Sequence, residues 1–178
     1  LFRPRPTHRT GRERRYAGPV FGEMIAAVRE ALRIPVIANG GVFNHHTHDE
    51  LMVKTGCTRT MVARGSIGNP WIFKELQEQK SSESFHLPSH EEICATMARH
   101  VFGMIELFGE ETGMRNSRKI ILAYLGGRGY AAHLRLEVAH LKTQDDFSAF
   151  LAKVEAEGQS PDYLARPTGR VTRDIDFA

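Results

Sequence analysis

The sequence predicts an α/β segment that passes into an all-α segment. Two observations carry this reading. Short apolar runs that end in glycine turns alternate with helical periodicity over the first 79 residues, and beyond the polar stretch Lys80-Ser81-Ser82-Glu83-Ser84 no strand pattern recurs. The divisions follow: an α/β part at 1–79, a linker at 80–88, a helical unit at 89–157 and a tail at 158–178.

From Pro19 to about Leu32, Phe21, Met24, Ile25, Val28 and Leu32 fall at helical spacing. Ile34-Pro35-Val36-Ile37-Ala38 then forms a strand apolar at every position, the pattern of a strand buried on both faces in a parallel sheet. It ends at Asn39-Gly40-Gly41. Thr47-x-x-Glu50 predicts a capping box opening a helix that Gly56 closes. A second strand, Thr60-Met61-Val62-Ala63, ends at Arg64-Gly65, and Pro70 suits the first turn of a helix running to about Gln79. Past the linker, Ser89-x-x-Glu92 caps a helix carrying Ile93, Met97, Val101, Ile105 and Phe108 on one face and ending at Gly109. Further helices are predicted at 115–125, 131–141 and 143–156, and the Pro-, Gly- and Arg-rich tail is expected to fray.

Two or three parallel strands can neither hide both sheet faces nor close a barrel. A (β/α)8 barrel takes about 250 residues, so residues 1–79 supply at most its last third. The α/β part is therefore incomplete as it stands. The first residue is Leu1 and the opening stretch has no apolar signal core, so the chain reads either as processed or as a piece of a longer one.

Composition narrows the class. Of 178 residues, 41% are hydrophobic and 25% charged, the profile of a folded chain rather than a disordered one. Charged residues interrupt every apolar run before it reaches the roughly 20 residues of a membrane span. Cys57 and Cys94 give no disulfide framework and no metal pair, which leads us to expect a reducing, cytoplasmic compartment.

Charge is unevenly spread. Within residues 1–18, Arg3, Arg5, Arg9, Arg12, Arg14 and Arg15 stand against only Glu13; within residues 113–142, Arg115, Arg118, Lys119, Arg128, Arg135 and Lys142 stand against only Glu137. Two readings stand open: a polyanionic partner, either a phosphate-bearing cofactor or nucleic acid, or solvated arginines with no partner.

Asn39-Gly40-Gly41 and Ala63-Arg64-Gly65 lie at the carboxyl ends of the two strands, where βα folds bind ligands. Glycines there let backbone N–H groups approach an oxyanion, and Arg64 can add a charge-assisted bond. Phosphate binding and ordinary βα turns are both compatible with these residues alone.

The motif IPVIANGG (residues 34–41), followed by MVARGSIGNPWIF (61–73), resembles the closing strands of the flavin-dependent tRNA-dihydrouridine synthases. Phe108-Gly109-Glu110, Arg118-Lys119, Tyr124 and Leu134-Arg135 resemble positions of that family's C-terminal helical domain, and Tyr16-Ala17-Gly18 its Y-x-G. The resemblance covers roughly residues 8–155 and implies the C-terminal βα units of a TIM (β/α)8 barrel followed by a helical bundle. It implies FMN held at its phosphate by Asn39, Gly40, Gly41, Ala63, Arg64 and Gly65, with His8 as the flavin-side histidine and NADPH as reductant. It further implies tRNA as partner, with Arg118, Lys119 and Arg135 as backbone contacts. The reaction implied is reduction of a tRNA uridine to 5,6-dihydrouridine by a monomer whose N-terminal barrel half is required.

The chain departs from the family pattern in places. Ala63 stands where the family has glycine, Thr58-Arg59 where it has D-G, and His8-Arg9-Thr10 lacks the spacer of H-x-R-T. The family's general-acid cysteine sits on an earlier strand loop, and neither Cys57 nor Cys94 matches it. Both read as small buried apolar residues. His45-His46-x-His48-Asp49 admits a metal reading beside the simpler one of polar residues at a helix start. Trp71 and Phe73 read as packing of the last barrel helix, and Tyr124 and Tyr130 as core rather than base-stacking residues. Two other functions stay open: a non-catalytic RNA-binding module, and a flavin barrel acting on a small molecule.

Overall fold

The periodic stretch after Val20 folds as α1 (Gly22–Ala31), followed by β1 (Ile37–Asn39), α2 (His45–Thr55), β2 (Arg59–Met61), a 3-10 turn at Arg64–Ser66 and α3 (Ile72–Lys80). The computed structural model describes residues 20–80 and 87–164. β1 and β2 pair in parallel, with Ile37, Ala38 and Asn39 opposite Arg59, Thr60 and Met61. Both strands are shorter than their apolar runs. Pro35 has no N–H for a ladder, so pairing starts at Ile37, and β2 gives way to its turn beyond Met61.

The expectation of a sheet buried on both faces is corrected. Ala38 is fully buried, in a small core with Val42, Leu51, Cys57 and Ile72. Ile37 and Met61 are half exposed, because helices cover only one side of this two-stranded sheet. Of the five apolar residues at helical spacing along α1, Ile25 packs against this core, whereas Phe21, Met24, Val28 and Leu32 are exposed.

The start of α2 is also corrected. Its N-cap is Asn44, whose side chain accepts from the Thr47 N–H, while the Thr47 hydroxyl faces the Asn44 N–H. Thr47 is thus the third helical residue and not the cap. At the far end Gly56, in the left-handed region at φ 62°, donates its N–H to the Met52 carbonyl.

Among its described residues the second unit holds helices and connecting turns and no strand: α4 (His90–Phe108), α5 (Glu110–Leu125), α6 (Ala132–Glu137) with a 3-10 turn at Val138–His140, α7 (Gln144–Glu157) and α8 (Pro161–Leu164). Reciprocal caps at Ser89/Glu92 and Thr143/Asp146 open α4 and α7. α5 starts five residues earlier than its apolar pattern, since Gly109 breaks the chain and Glu110 and Glu111 sit well against a helix N-terminus. α4 and α5 cross so closely at Gly113 that a Cβ there would lie 2.7 Å from Ile105 Cα.

Around that crossing lies the larger core, built from Met97, Val101, Met114, Ile121, Tyr124, Leu134, Phe147 and Val154 among others. Tyr124 and Tyr130 are both part of it. His90 joins α4 to the rest: its Nδ1 is 3.0 Å from the Tyr130 hydroxyl and its Nε2 3.2 Å from the Glu155 carbonyl. The first residues of the tail are docked rather than loose. Ser160 N–H donates to the Gly129 carbonyl at 2.9 Å, and Gln159 Nε2 donates to the Arg128 carbonyl at 2.9 Å. Residues 165–178 lie outside the described residues, as do 81–86 of the linker. Among the described residues, no helix is long and apolar enough to cross a membrane.

Candidate functional site

Beyond β1 the chain turns through Gly40 at φ 141° and Gly41 at φ 65°, conformations that side chains disfavour. Beyond β2 it enters the 3-10 turn, where Ser66 N–H and Ile67 N–H donate to the carbonyls of Ala63 and Arg64, both at 3.2 Å. The Ser66 hydroxyl also donates to the Ala63 carbonyl, at 2.8 Å. The two turns touch. Gly65 is buried against Val42, and a Cβ on it would lie 2.1 Å from the Val42 carbonyl oxygen.

Between the turns is a cavity of about 180 Å³ lined by Asn39, Gly40, Gly41, Val42, Phe43, Met61, Ala63, Arg64 and Gly65. All six residues singled out at the strand ends therefore border one space. The Arg64 guanidinium stands 5.7 Å over the Phe43 ring, so a cation flanks the glycine-lined opening. Glycine-turn backbone and a guanidinium bordering a small cavity are a setting suited to a phosphate. Ala63 is exposed on the cavity wall. His8 and Tyr16 lie outside the described residues.

On the other side of Arg64 is a second cavity of about 400 Å³, bounded by Phe43, Arg64, Gly65, Ile67, Asn69, Lys119, Ala123, Gly126, Gly127 and Arg128. Lys119 and Arg64, assigned to different ligands by the resemblance, share its wall. Arg118 and Arg135 lie elsewhere and already make bonds of their own. Arg118 Nε donates to the Leu141 carbonyl at 2.9 Å, and Arg135 Nη1 to that of Tyr130 at 2.8 Å.

Arg128 is the residue that sequence reasoning missed. It is only 5% exposed. Nη1 donates to the Gly68 and Tyr124 carbonyls, both at 2.9 Å, and Nη2 to Asn69 Oδ1 at 3.1 Å. Its guanidinium lies 5.6 Å over the Trp71 ring. Burial pulls its pKa below the usual arginine range. The one local signal is its setting between Gly127 and Gly129, both at positive φ.

Trp71 packs on the bundle, edge-on to Tyr124, and not on the sheet; Phe73 is more than half exposed. Both placements correct the barrel-packing expectation. His45 is buried and occupied: Glu75 Oε1 accepts from its backbone N–H at 3.0 Å and lies 2.9 Å from Nδ1. His48 Nδ1 lies 2.9 Å from Asp49. Among the described residues, no three His, Cys, Asp or Glu side chains gather into a metal-binding group. Both cysteines are buried, and burial raises the Cys94 thiol to about 11.

Two parallel βα units with facing glycine turns, braced by a helical bundle, define the class of fold. Comparison with known proteins gives the family. The dihydrouridine synthase (Dus) family model matches residues 7–159, and the chain belongs to that family. It is 32% identical over 158 residues to the probable tRNA-dihydrouridine synthase of Mycobacterium leprae, covering 88% of this chain and 41% of that protein. The probable tRNA-dihydrouridine synthase of Mycobacterium tuberculosis strain H37Rv is 33% identical over the same length, with the same coverage. With tRNA-dihydrouridine synthase B of Pasteurella multocida the identity is 34% over 113 residues, 63% of this chain and 34% of that protein. The chain thus spans about two fifths of the length of the mycobacterial relatives.

Proposed function

We propose that this chain is the C-terminal part of an FMN-dependent tRNA-dihydrouridine synthase. The full enzyme reduces a uridine in tRNA to 5,6-dihydrouridine, with NADPH as the electron source, in the cytoplasm. The observation that carries the reading is the single cavity bordered by Asn39, Gly40, Gly41, Ala63, Arg64 and Gly65. In this reading those residues hold the FMN phosphate, and His8 faces the flavin. When bound, FMN supplies the hydride chemistry. This chain's residues bind and orient: glycine-turn amides and the Arg64 guanidinium neutralise the phosphate, and the closed contact of Gly65 on Val42 keeps the two turns in register.

The exposed Phe21, Met24, Ile37 and Met61 support placing these units at the end of a TIM barrel whose earlier strands would cover them. The resemblance to the family puts the general acid toward the uracil ring on an earlier strand loop, and the burial of both Cys57 and Cys94 fits that placement. The bundle carries the tRNA, with Arg118, Lys119 and Arg135 meeting its phosphates. Lys119 borders the same cavity as Arg64, which supports a tRNA path running next to the cofactor phosphate.

FMN titration followed by flavin fluorescence tests the phosphate site. The chain should bind, and Arg64→Ala should bind about tenfold more weakly, the loss expected for one charge-assisted bond. Equal affinity of the two proteins would reject the assignment. A second reading, an RNA-binding module that never takes flavin, is favoured by the self-contained core of the bundle. It predicts salt-dependent tRNA affinity with no flavin uptake by the chain or by its complex with the N-terminal part.

A further inference from the structure

The loop after β2 that leads from Arg64 to Asn69 is gripped at both ends. At its start Gly65 abuts the Val42 carbonyl. At its end Gly68, at φ 69°, lies so close to α5 that a Cβ would stand 2.4 Å from the Ala123 carbonyl carbon. Across that second contact reaches Arg128. One guanidinium nitrogen bonds the Gly68 carbonyl on the loop and the Tyr124 carbonyl at the end of α5, and the other bonds Asn69 Oδ1. Among the described residues no carboxylate pairs with this buried cation. Its charge is therefore met by backbone carbonyls and the Trp71 face, and those partners come from both units at once.

We infer that Arg128 is a positioning residue for the anion-binding turn: it fixes Gly68 and Asn69 to the end of α5 and so sets where Arg64 and Gly65 stand. This rests on the reading of that turn as the phosphate site. The forked geometry matters. A lysine offers a single nitrogen, which cannot stand at both guanidinium positions and so cannot join Gly68 and Tyr124 to Asn69 as the planar fork does. Exchanging Arg128 for lysine releases the loop while leaving the charge in place. Exchanging Asn69 for aspartate puts a carboxylate beside the guanidinium and tightens the same joint.

The experiment compares the unmodified chain, Arg128→Lys and Asn69→Asp by hydrogen exchange, with FMN titration alongside. In R128K the amides of residues 65–69 should exchange at least about tenfold faster, with amides in the middle of α4 and α7 unchanged. In N69D the loop amides should exchange no faster than in the unmodified chain. FMN affinity should fall about tenfold in R128K and survive in N69D. Loop exchange in R128K that is unchanged, or that rises equally throughout α4 and α7, would overturn the positioning role. If the unmodified chain takes up no FMN, the phosphate reading fails, whereas the exchange pattern still decides whether Arg128 holds the loop.

Discussion

Gly65 and the carbonyl of Val42 approach so closely that a single added methyl carbon would sit 2.1 Å from the oxygen. The obstacle is backbone, which cannot rotate aside as a side chain can. Gly65→Ala should therefore destabilise the chain by about 1–3 kcal/mol, the range for forced overpacking, read as a lower urea midpoint. Gly103 is the control. It sits on α4 with nothing within 4 Å of its added Cβ, so Gly103→Ala should stabilise the chain by about 0.5–1 kcal/mol, read as a higher midpoint.

Glu75 ties α3 to the start of α2 through two bonds from one oxygen, to the His45 N–H and to its Nδ1. Glu75→Ala leaves both buried groups without that acceptor and should cost about 2–3 kcal/mol. Glu75→Gln keeps an acceptor oxygen at the same place and should cost clearly less. Equal losses in the two variants, measured by chemical denaturation, would show that packing and not acceptance is what Glu75 supplies.

Cys94 titrates near 9 when the chain is unfolded and near 11 when folded, because burial disfavours the thiolate. Between those values the folded chain binds more protons than the unfolded one, so stability falls as pH rises above 9. Burial raises Tyr124 and Tyr130 as well, which extends the loss to higher pH. Denaturation midpoints at pH 8 and pH 10 should show the decline. At pH 8, iodoacetamide should alkylate Cys94 far more slowly in the folded chain than in urea.

Met24 and Val28 stand on the open face of α1, 67% and 50% exposed. Met24→Lys with Val28→Lys should change the stability of this chain by less than about 0.5 kcal/mol. Leu51 is fully buried in the small core, and Leu51→Ala should cost about 2–5 kcal/mol. A large loss from the α1 pair in a thermal melt would mean that residues of this chain already cover that face.

What the sequence made legible was mostly local. Ser89 and Glu92 can satisfy each other within one turn, so their box needs no tertiary context. Asn44 and Thr47 are both competent caps three residues apart, and the pattern alone does not rank them; the bond from Thr47 N–H to Asn44 Oδ1 decides. The glycine turns were legible because few other residues tolerate the backbone found at Gly40 and Gly41. Arg128 was not, because an arginine between glycines in a basic stretch reads as surface charge. Its burial comes from Gly68, Asn69 and Trp71, more than fifty residues away. The stripe on α1 was recognised as apolar, but periodicity cannot say whether its partner strands are present.

The two cores are very unequal. The bundle encloses Tyr124, Phe147, Met97 and several layers of aliphatic side chains, whereas the α/β unit closes over little more than Leu51, Ile72 and a few small neighbours. Local opening follows buried apolar contact, so the α/β unit should loosen while the bundle still holds. The glycine-lined cavity belongs entirely to the weaker unit, and its nearest strong support is the end of α5. On warming, the capacity to hold an anion would vanish in an early, shallow transition, leaving behind a helical body that still looks folded to circular dichroism.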